Sequence, residues 1–356
     1  MKRYAISQSE GIDHDIIKSL NLKGYMMIIQ QAILHILDTN TGNLIASQGE
    51  MSVENPGIHD YIEKLVNKIY HGDVKTGLLA SETYLQRMLS NQNFPEMTTQ
   101  LATKLFDIIA GSDAIQSGDL LSFRAITDDG PIFGLIKLNY SPRYAHAVAY
   151  VADQMVNSLV LNQTVLPAAT QSVEEAILVN TETNRYHLLE KKHLIDGQRV
   201  AYFSEKFLNI TPEISLKENI QVIKRTVKSV TEKYDSMPEH ETLALTQSAI
   251  YDALETGSID TDVIAEKVFS DNTSAKVLYQ EKIADKIAHK AISVENVEKY
   301  EKKYRVQKFK LDSGIEISIP MSVYQDHTKV EFVNNANGTT SLVIKDIETI
   351  LNKFTS

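Results

Sequence analysis

Apolar residues recur along the chain with two different periods, and the period changes near residue 210. Before this point, short apolar stretches lie between turn-forming residues, and several alternate apolar and polar positions as β-strands do. After it, apolar residues step by three and four, which predicts helices. We therefore expect an N-terminal α+β domain over residues 1–210. A C-terminal domain over residues 211–356 should be helical and end in a small β-module.

Hairpins dominate the predicted first domain. Residues 25–48 read as two antiparallel strands, 120–126 and 132–140 flank Asp128-Asp129-Gly130, and 175–180 and 186–189 flank a second polar turn. Residues 147–161 fit either a strand or a helix. Two helices are predicted, one between Pro56-Gly57 and Gly72 and one over 96–110. Because no strand–helix–strand repeat appears, an antiparallel sheet with helices is favoured over a doubly wound fold.

The second part opens with a long helix whose start is predicted at Thr211 and Pro212, a cap followed by a residue with preset φ. Its apolar residues form a narrow seam with coiled-coil spacing, made of Leu216, Ile220, Ile223, Val227 and Val230. Such a seam could pair two chains into a homodimer, or it could pack against the helices that follow in the same chain. Both interpretations stay open at this level.

Three further helices are predicted over 242–254, 263–269 and 274–289, and residues 249–290 fit the outline of a helix-turn-helix or of any small helical subdomain. From Val306 the pattern becomes β. Ile315, Ile317 and Ile319 should share one buried face that packs near Phe332 and Ile344. Asn337-Gly338 predicts a tight turn with positive φ at both positions.

The C-terminal segments LDSGIEISIP and VEFVNNANGTTSLVIKDIE resemble the end of the bacterial nucleoid-associated proteins of the NdpA/YejK type. Residues 32–38, 132–140 with 175–180, and 199–203 with 207–208 resemble earlier parts of that family in the same order. The resemblance spans about residues 30–350. It implies a non-enzymatic protein of the bacterial nucleoid that associates with chromosomal DNA, with a type II topoisomerase as a candidate partner.

Composition agrees with a globular chain in the cytoplasm. The 356 residues are 43% hydrophobic and include no cysteine, so disulfides and thiolate chemistry are excluded. The longest apolar run, 25–37, is interrupted by polar residues and is too short for a membrane span. No basic segment with a small-residue cleavage site precedes it, so we expect no secretory signal and no membrane partner.

The net charge of −10 is opposite to that of most DNA-binding proteins, so any contact with DNA must come from a local basic patch. Two lysine-rich segments are candidates for sequence-nonspecific phosphate contacts. Their proposed contact residues are Lys224, Arg225, Lys228, Lys282, Lys286, Lys290, Lys299, Lys302, Lys303, Arg305, Lys308 and Lys310. The alternative is that both segments are solvated helix faces.

Common catalytic motifs are absent: the chain has no GxxxxGK[ST], GxGxxG, HExxH or GxSxG. We assign no catalytic residue, metal ligand or cofactor, and we interpret Lys137 and Tyr140 as a snorkelling lysine and a strand-edge residue. Two alternatives to DNA binding remain. One is an interaction adaptor without direct DNA affinity. The other is an enzyme whose site follows no motif, which a pocket with converging, pKa-perturbed groups would indicate.

Overall fold

The computed structural model describes residues 27–90, 93–234, 238–294 and 297–351. Positions 25 and 26 of the first predicted hairpin therefore lie outside the described residues. The chain divides into two compact units. Unit 1 contains residues 27–70 together with Gly77–Pro212, and unit 2 contains His71–Thr76 together with the chain from Glu213 onward. That these units fold as separate domains divided near residue 210 stays a prediction.

Unit 1 is built on a sheet with the strand order β2-β1-β4-β5-β8-β9-β3. Its strands and the neighbouring two-stranded hairpins are β1 (Ile28–Asp38), β2 (Asn43–Ile45), β3 (Lys75–Leu78), β4 (Gly118–Thr127), β5 (Gly130–Asn139), β6 (Arg143–Val151), β7 (Gln154–Asn162), β8 (Glu175–Asn180), β9 (Arg185–Leu189), β10 (His193–Ile195) and β11 (Gln198–Val200). The pairs β1–β4, β4–β5, β5–β8 and β8–β9 are antiparallel, as the hairpin pattern predicts.

Helices pack on this sheet, and β4 and β5 are buried along almost their whole length. The helices of unit 1 are α1 (Pro56–Tyr70), α2 (Tyr84–Leu89) and α3 (Phe94–Ala110). Asn93 caps α3, because its side chain accepts a hydrogen bond from the backbone N–H of Glu96 at 3.3 Å. The buried residues Met97, Leu101 and Leu105 of α3 join the core that also contains Phe133 and Ile177.

The structure defines the secondary structure of two further segments of unit 1, one of which fitted either a strand or a helix. Residues 147–161 belong to strands β6 and β7, which pair with each other as a separate two-stranded sheet. Residues 199–203 and 207–208, which resemble the short helix at the end of the first half of the family, lead into and belong to a π-helix over Phe203–Leu208, in which Phe203 and Phe207 are fully buried. Its end is marked by Asn209 in a left-handed conformation, φ 54°.

Unit 2 is helical and ends in strand pairs. Its elements are α4 (Leu216–Tyr234), α5 (Glu239–Glu255), β12 (Ser258–Asp260), α6 (Thr261–Val268), α7 (Thr273–Ala284), β13 (Ala291–Ser293), α8 (Val297–Tyr304), β14 (Val306–Lys310), β15 (Glu316–Pro320), α9 (Met321–Tyr324), β16 (Val330–Asn334) and β17 (Thr340–Ile344). Helices α4 to α8 enclose a second apolar core. The α+β prediction is thereby confirmed. Among the described helices, none has both the length and the apolar composition needed to cross a membrane.

Helices α4 and α7 differ from the prediction in a boundary, and α8 is an additional helix. The long helix begins at Leu216 rather than Pro212, because Ser215 and Glu218 form a reciprocal capping box. Ser215 Oγ accepts from the Glu218 N–H at 3.2 Å, and Glu218 Oε2 accepts from the Ser215 N–H at 3.0 Å. Helix α7 ends at Ala284, so Lys286 and Lys290 follow it. Helix α8 was not predicted.

The C-terminal β-module follows the predicted strands but not the predicted burial. Ile319 is 5% exposed, whereas Ile315 is 57% exposed and precedes β15. Ile317 is partly buried and Ile344 is exposed. Ile315, Ile317 and Ile319 therefore do not form one buried face. An aromatic cluster packs the module instead, with Phe309 and Phe332 ring centroids 5.1 Å apart and Tyr324 beside both. In the Asn337-Gly338 turn, Gly338 has φ 82° and Asn337 does not have a positive φ.

Candidate nucleic-acid interface

The apolar seam of α4 lies inside unit 2. Ile220, Ile223, Val227 and Val230 are at most 2% exposed and pack in the helical core, with Leu216 partly buried against it. Side chains that are enclosed in their own chain do not offer a surface to a second one. Packing within the chain, which the sequence left open beside dimerisation, therefore accounts for the seam, and we do not assign a dimer contact to these residues.

Beside the seam, α4 carries the partly buried Lys224 and the exposed Arg225, and α8 adds the basic residue Lys303. Lys224 Nζ lies 5.5 Å from the centroid of the Tyr304 ring, and Lys303 Nζ lies 5.2 Å from the same centroid. Tyr304 stacks on Tyr300 at 6.3 Å with an interplanar angle of 9°. Two lysines that are far apart in sequence are thus held over one aromatic ring.

Lysines from α7 and the segment after it reach the other flank of α4. Lys282 Nζ donates to Ser229 Oγ at 2.8 Å, and Lys286 Nζ lies 3.5 Å from Thr226 Oγ1. The basic segments predicted separately therefore meet along α4. We call the surface formed by Lys224, Arg225, Lys282, Lys286 and Lys303 the basic ridge.

Two effects destabilise the charged form of Lys224. Burial lowers the pKa of this lysine, and the neighbouring charge of Lys303 lowers it further. Within the described parts of the chain, neither Lys224 nor Lys303 forms an ion pair with a carboxylate. Two cations held close together without a counterion favour binding of an anion, because the anion would offset their repulsion.

The other predicted contact residues are in different environments. Three are engaged by carboxylates: Lys228 by Glu239 at 2.8 Å, Lys290 by Asp262 at 2.7 Å and Lys310 by Glu316 at 3.7 Å. Lys299 donates to the backbone carbonyls of His71 and Gly72. The last three are exposed and make no ion pair with a described residue: Lys302, Arg305 and Lys308.

The helix-turn-helix interpretation finds little support in the lysines of α7. Lys276 is engaged by Glu266 of α6, and Lys282 is directed to α4. Tyr279 and Ile283 of the same helix are buried in the core. Helix α7 is therefore held mainly by contacts with its own unit, and the basic ridge is the stronger candidate for a nucleic-acid contact.

A buried polar network in unit 1 escaped the sequence analysis. Lys137 is 2% exposed on an interior strand, so its interpretation as a snorkelling residue is wrong, and Tyr140 is likewise buried. Lys137 Nζ donates to the Gln116 carbonyl at 2.6 Å and to Asn139 Oδ1. Glu175, fully buried, accepts from Asn139 Nδ2 at 3.2 Å and lies 2.9 Å from His193 Nε2. A cavity of about 240 Å³ adjoins Lys137.

The titration of this network reflects its internal pairing. Burial alone would raise the pKa of Glu175, but the hydrogen bond from His193 and the charge of Lys137 outweigh it and lower that pKa. The hydrogen bond to Glu175 raises the pKa of His193. Burial lowers the pKa of Lys137, against the opposing effect of Glu175. Because these polar groups bond to one another, they can serve as a structural network. The adjoining cavity and the shifted pKa values also meet the criterion given above for a site without a motif, so the two interpretations need a direct test.

One further cluster has the residue types of a metal site. His59, Asp60 and Glu63 of α1 can bring ligand atoms within 4.8 Å of one another. Nε2 of His59 is already 3.1 Å from the Met27 carbonyl, and Asp60 is exposed. Exposed acidic groups are common on helices without any ion, and the cluster carries no assignment.

Comparison with known proteins places the chain in a family. No curated protein matches the sequence. The family described as nucleoid-associated protein YejK, in contrast, matches residues 33–352, which include nearly all of both units and every residue of the basic ridge. This range agrees with the resemblance read from the sequence segments. The chain belongs to the family of the nucleoid-associated protein YejK.

Proposed function

We propose that this chain acts without catalysis in the bacterial cytoplasm, at the nucleoid, and binds chromosomal DNA directly through the basic ridge. The main supporting observation is that Lys224 and Lys303 lie over one tyrosine ring and that neither forms an ion pair with a carboxylate of the described residues. A DNA phosphate would supply the missing negative charge. Such binding would be strongest at low salt, because it releases counterions condensed on the duplex.

The proposed contact is with the phosphate backbone and not with bases. The exposed groups of the ridge are Lys and Arg side chains, which bind phosphates regardless of sequence. Tyr300 and Tyr304 are 5% and 4% exposed, so their rings are covered and would not stack on unpaired bases. Both features support sequence-nonspecific binding to duplex DNA.

The test is a titration of duplex DNA by fluorescence anisotropy at several salt concentrations. In the ridge variant, Lys224→Gln, Arg225→Gln and Lys303→Gln are combined. If all three side chains contact phosphates, the slope of log K against log salt should become shallower by about 0.9 per lost contact, or about 2.7 in total. Affinity should fall similarly for unrelated DNA sequences.

A matched control removes the same number of positive charges elsewhere. Lys192, Arg199 and Lys206 are exposed residues of unit 1, and their combined change to Gln leaves the ridge intact. The control should retain the slope of the unmodified protein. Equal slopes for both variants would contradict a localised ridge contact.

The main alternative is an adaptor that joins nucleoid proteins without touching DNA. The family resemblance suggests a type II topoisomerase as the partner, and the net charge of −10 is compatible with protein contacts. If the unmodified protein fails to bind DNA even at low salt, direct DNA binding is wrong and the adaptor interpretation is favoured.

A further inference from the structure

The β6–β7 hairpin, here called the β-arm (residues 143–162), is exposed along its length. Each strand has nine residues, and all except the partly covered Ala147 are exposed. At about 3.4 Å per residue the arm is about 30 Å long. The arm forms its own two-stranded sheet, so within the described part of the chain its outer edges have no strand partner. An isolated hairpin of this kind is marginal in water unless one face is covered.

The two faces of the β-arm differ in side-chain size. Directly opposed residues share a face, and Tyr144 pairs with Leu161, Val148 with Asn157 and Tyr150 with Met155. These residues, with His146 and Leu159, form the large face. The small face carries Ala145, Ala147, Ala149, Val156, Ser158 and Val160 at its centre. The large face has the longer apolar side chains and the greater apolar area, and it is therefore the stronger candidate for a contact surface.

Exposure on the large face is unusually high for apolar side chains. Tyr150 is 77% exposed, Leu159 75%, Tyr144 70% and Met155 64%. With about 150–250 Å² for each aromatic side chain and less for each aliphatic one, the face presents roughly 600 Å². Exposed apolar patches of this size mark interaction sites, and a standard interface buries about 800 Å² per partner. Two such faces supply most of a stable interface.

The charges of the β-arm indicate which partner fits. The large face has no Lys, Arg, Asp or Glu, which disfavours DNA as the occupant. The formally charged residues of the arm are Arg143 at its base and Asp153 in its terminal turn. Arg143 belongs to the small face and donates to Gln171 Oε1 at 3.2 Å, so neither charge lies on the large face. The large face of a second copy offers an uncharged apolar surface of the same area, and two such faces together approach the area that a stable dimer needs.

We propose that two copies of this chain associate through the large faces of their β-arms, packed antiparallel about a two-fold axis. Such an interface is isologous, so the same residues serve both copies. It leaves the basic ridge, which belongs to unit 2, outside the contact residues. The association does not depend on DNA binding, and the two proposals can fail separately.

The first test measures the mass of the full chain in solution by light scattering over a range of concentrations. The unmodified protein should approach twice 40.0 kDa as concentration rises. Leu159→Asp places a charge on the large face and should leave a folded monomer. Ser158→Asp adds the same charge one residue away on the small face and should leave the dimer intact. A wild-type monomer at every concentration, or equal behaviour of the two variants, would overturn the proposal.

The second test exploits the absence of cysteine from the chain. Asn157 lies near the middle of the large face, so Asn157→Cys should form an interchain disulfide under mild oxidation. Ser158→Cys is at the same height on the small face and should cross-link far less. Cross-linking that is equal at both positions contradicts the face assignment. If Leu159→Asp remains a dimer and Asn157→Cys forms no cross-link, the interface lies elsewhere.

Discussion

Replacing Glu175 with Gln tests whether the buried polar network of unit 1 is structural or an active site. The substitution keeps the shape of the side chain and removes its charge. Glu175 is fully buried and accepts hydrogen bonds from Asn139 and His193, while Lys137 on the adjacent strand is 2% exposed. Glu175→Gln therefore removes the carboxylate that pairs with His193 at 2.9 Å and that has the larger effect on the Lys137 charge, while Glu174 remains near Lys137.

The expected loss follows from the burial of both charges. The ion pair that is lost joins Glu175 to His193, and the nearby Lys137 charge also loses its larger compensating charge. Removal of one partner from a buried ion pair typically costs about 3–5 kcal/mol, because an uncompensated charge remains. The two hydrogen bonds that Lys137 donates, to the Gln116 carbonyl and to Asn139, are retained. We therefore expect the lower part of that range, about 3 kcal/mol of unfolding free energy for unit 1. A second change, Lys137→Met, should restore part of it by removing the stranded charge.

The loss should depend on pH in a specific direction. The lowered pKa of Glu175 contributes stability above its ordinary value of 4.5, and this is lost as pH falls through the folded-state pKa. The raised pKa of His193 contributes stability below its ordinary value of 6.5, and this is lost as pH rises through the folded-state pKa. Glu175→Gln should therefore lower the free energy of unfolding more at about pH 5.5 than at about pH 8.

The measurement is native-state hydrogen exchange of the amides in β5 and β8, compared between wild type and variants at both pH values. Glu174→Gln is the matched control, since the Glu174 side chain is 28% exposed and should lose far less. An unchanged or slower exchange in Glu175→Gln would refute a structural network. It would favour an active site, because replacing strained catalytic groups commonly stabilises a protein.

Two more predictions concern unit 2. Ile319→Ala should cost about 2–5 kcal/mol as a core truncation, whereas Ile315→Ala should stay within about 0.5 kcal/mol; equal thermal melting temperatures would contradict the observed burial difference. Asp73 accepts hydrogen bonds from Ser215 Oγ, the Lys217 N–H and Tyr300 Oη, so Asp73→Ala should lower the melting temperature of unit 2. A fragment that begins at residue 211 lacks Asp73 and should unfold at a lower temperature than unit 2 in the full chain. A fragment of undiminished stability would show that these bonds contribute little.

Sequence periodicity predicted the elements whose burial is local and regular. Asp128-Asp129-Gly130 joins β4 and β5 as predicted. Asp260 caps α6 through the N–H of Asp262, a contact within three consecutive residues. These features succeed because turn chemistry and capping depend on a few consecutive residues. The Ser215–Glu218 capping box is an equally local sequence signal, and it, rather than Pro212, marks the start of α4.

Features that depend on distant partners were not predictable in the same way. Lys137 reads as a surface lysine until β8 places Glu175 beside it across the sheet. Ile315 fits the alternation of a buried strand residue, yet it lies before β15 and is exposed. The module packs through Phe309 and Phe332 instead. The spacing of the α4 seam fits two partners equally, and only the position of the other helices selects one. In each case, identity of the neighbour rather than local pattern decides the environment.

The proposed contact between the basic ridge and DNA is compatible with an acidic chain. A net charge of −10 describes the whole molecule, but exposed charges separated by more than about 10 Å are largely screened at 0.1 M salt. What matters to a bound phosphate is therefore the set of groups within that distance. Carboxylates neutralise Lys228, Lys290 and Lys310, and these are the predicted contacts we set aside. Lys224 and Lys303 have no such partner among the described residues. The distribution of ion pairs, which sequence counts do not reveal, removes three lysines from the larger set. Contacts with Tyr304 and with side chains of α4 then define the ridge among the rest.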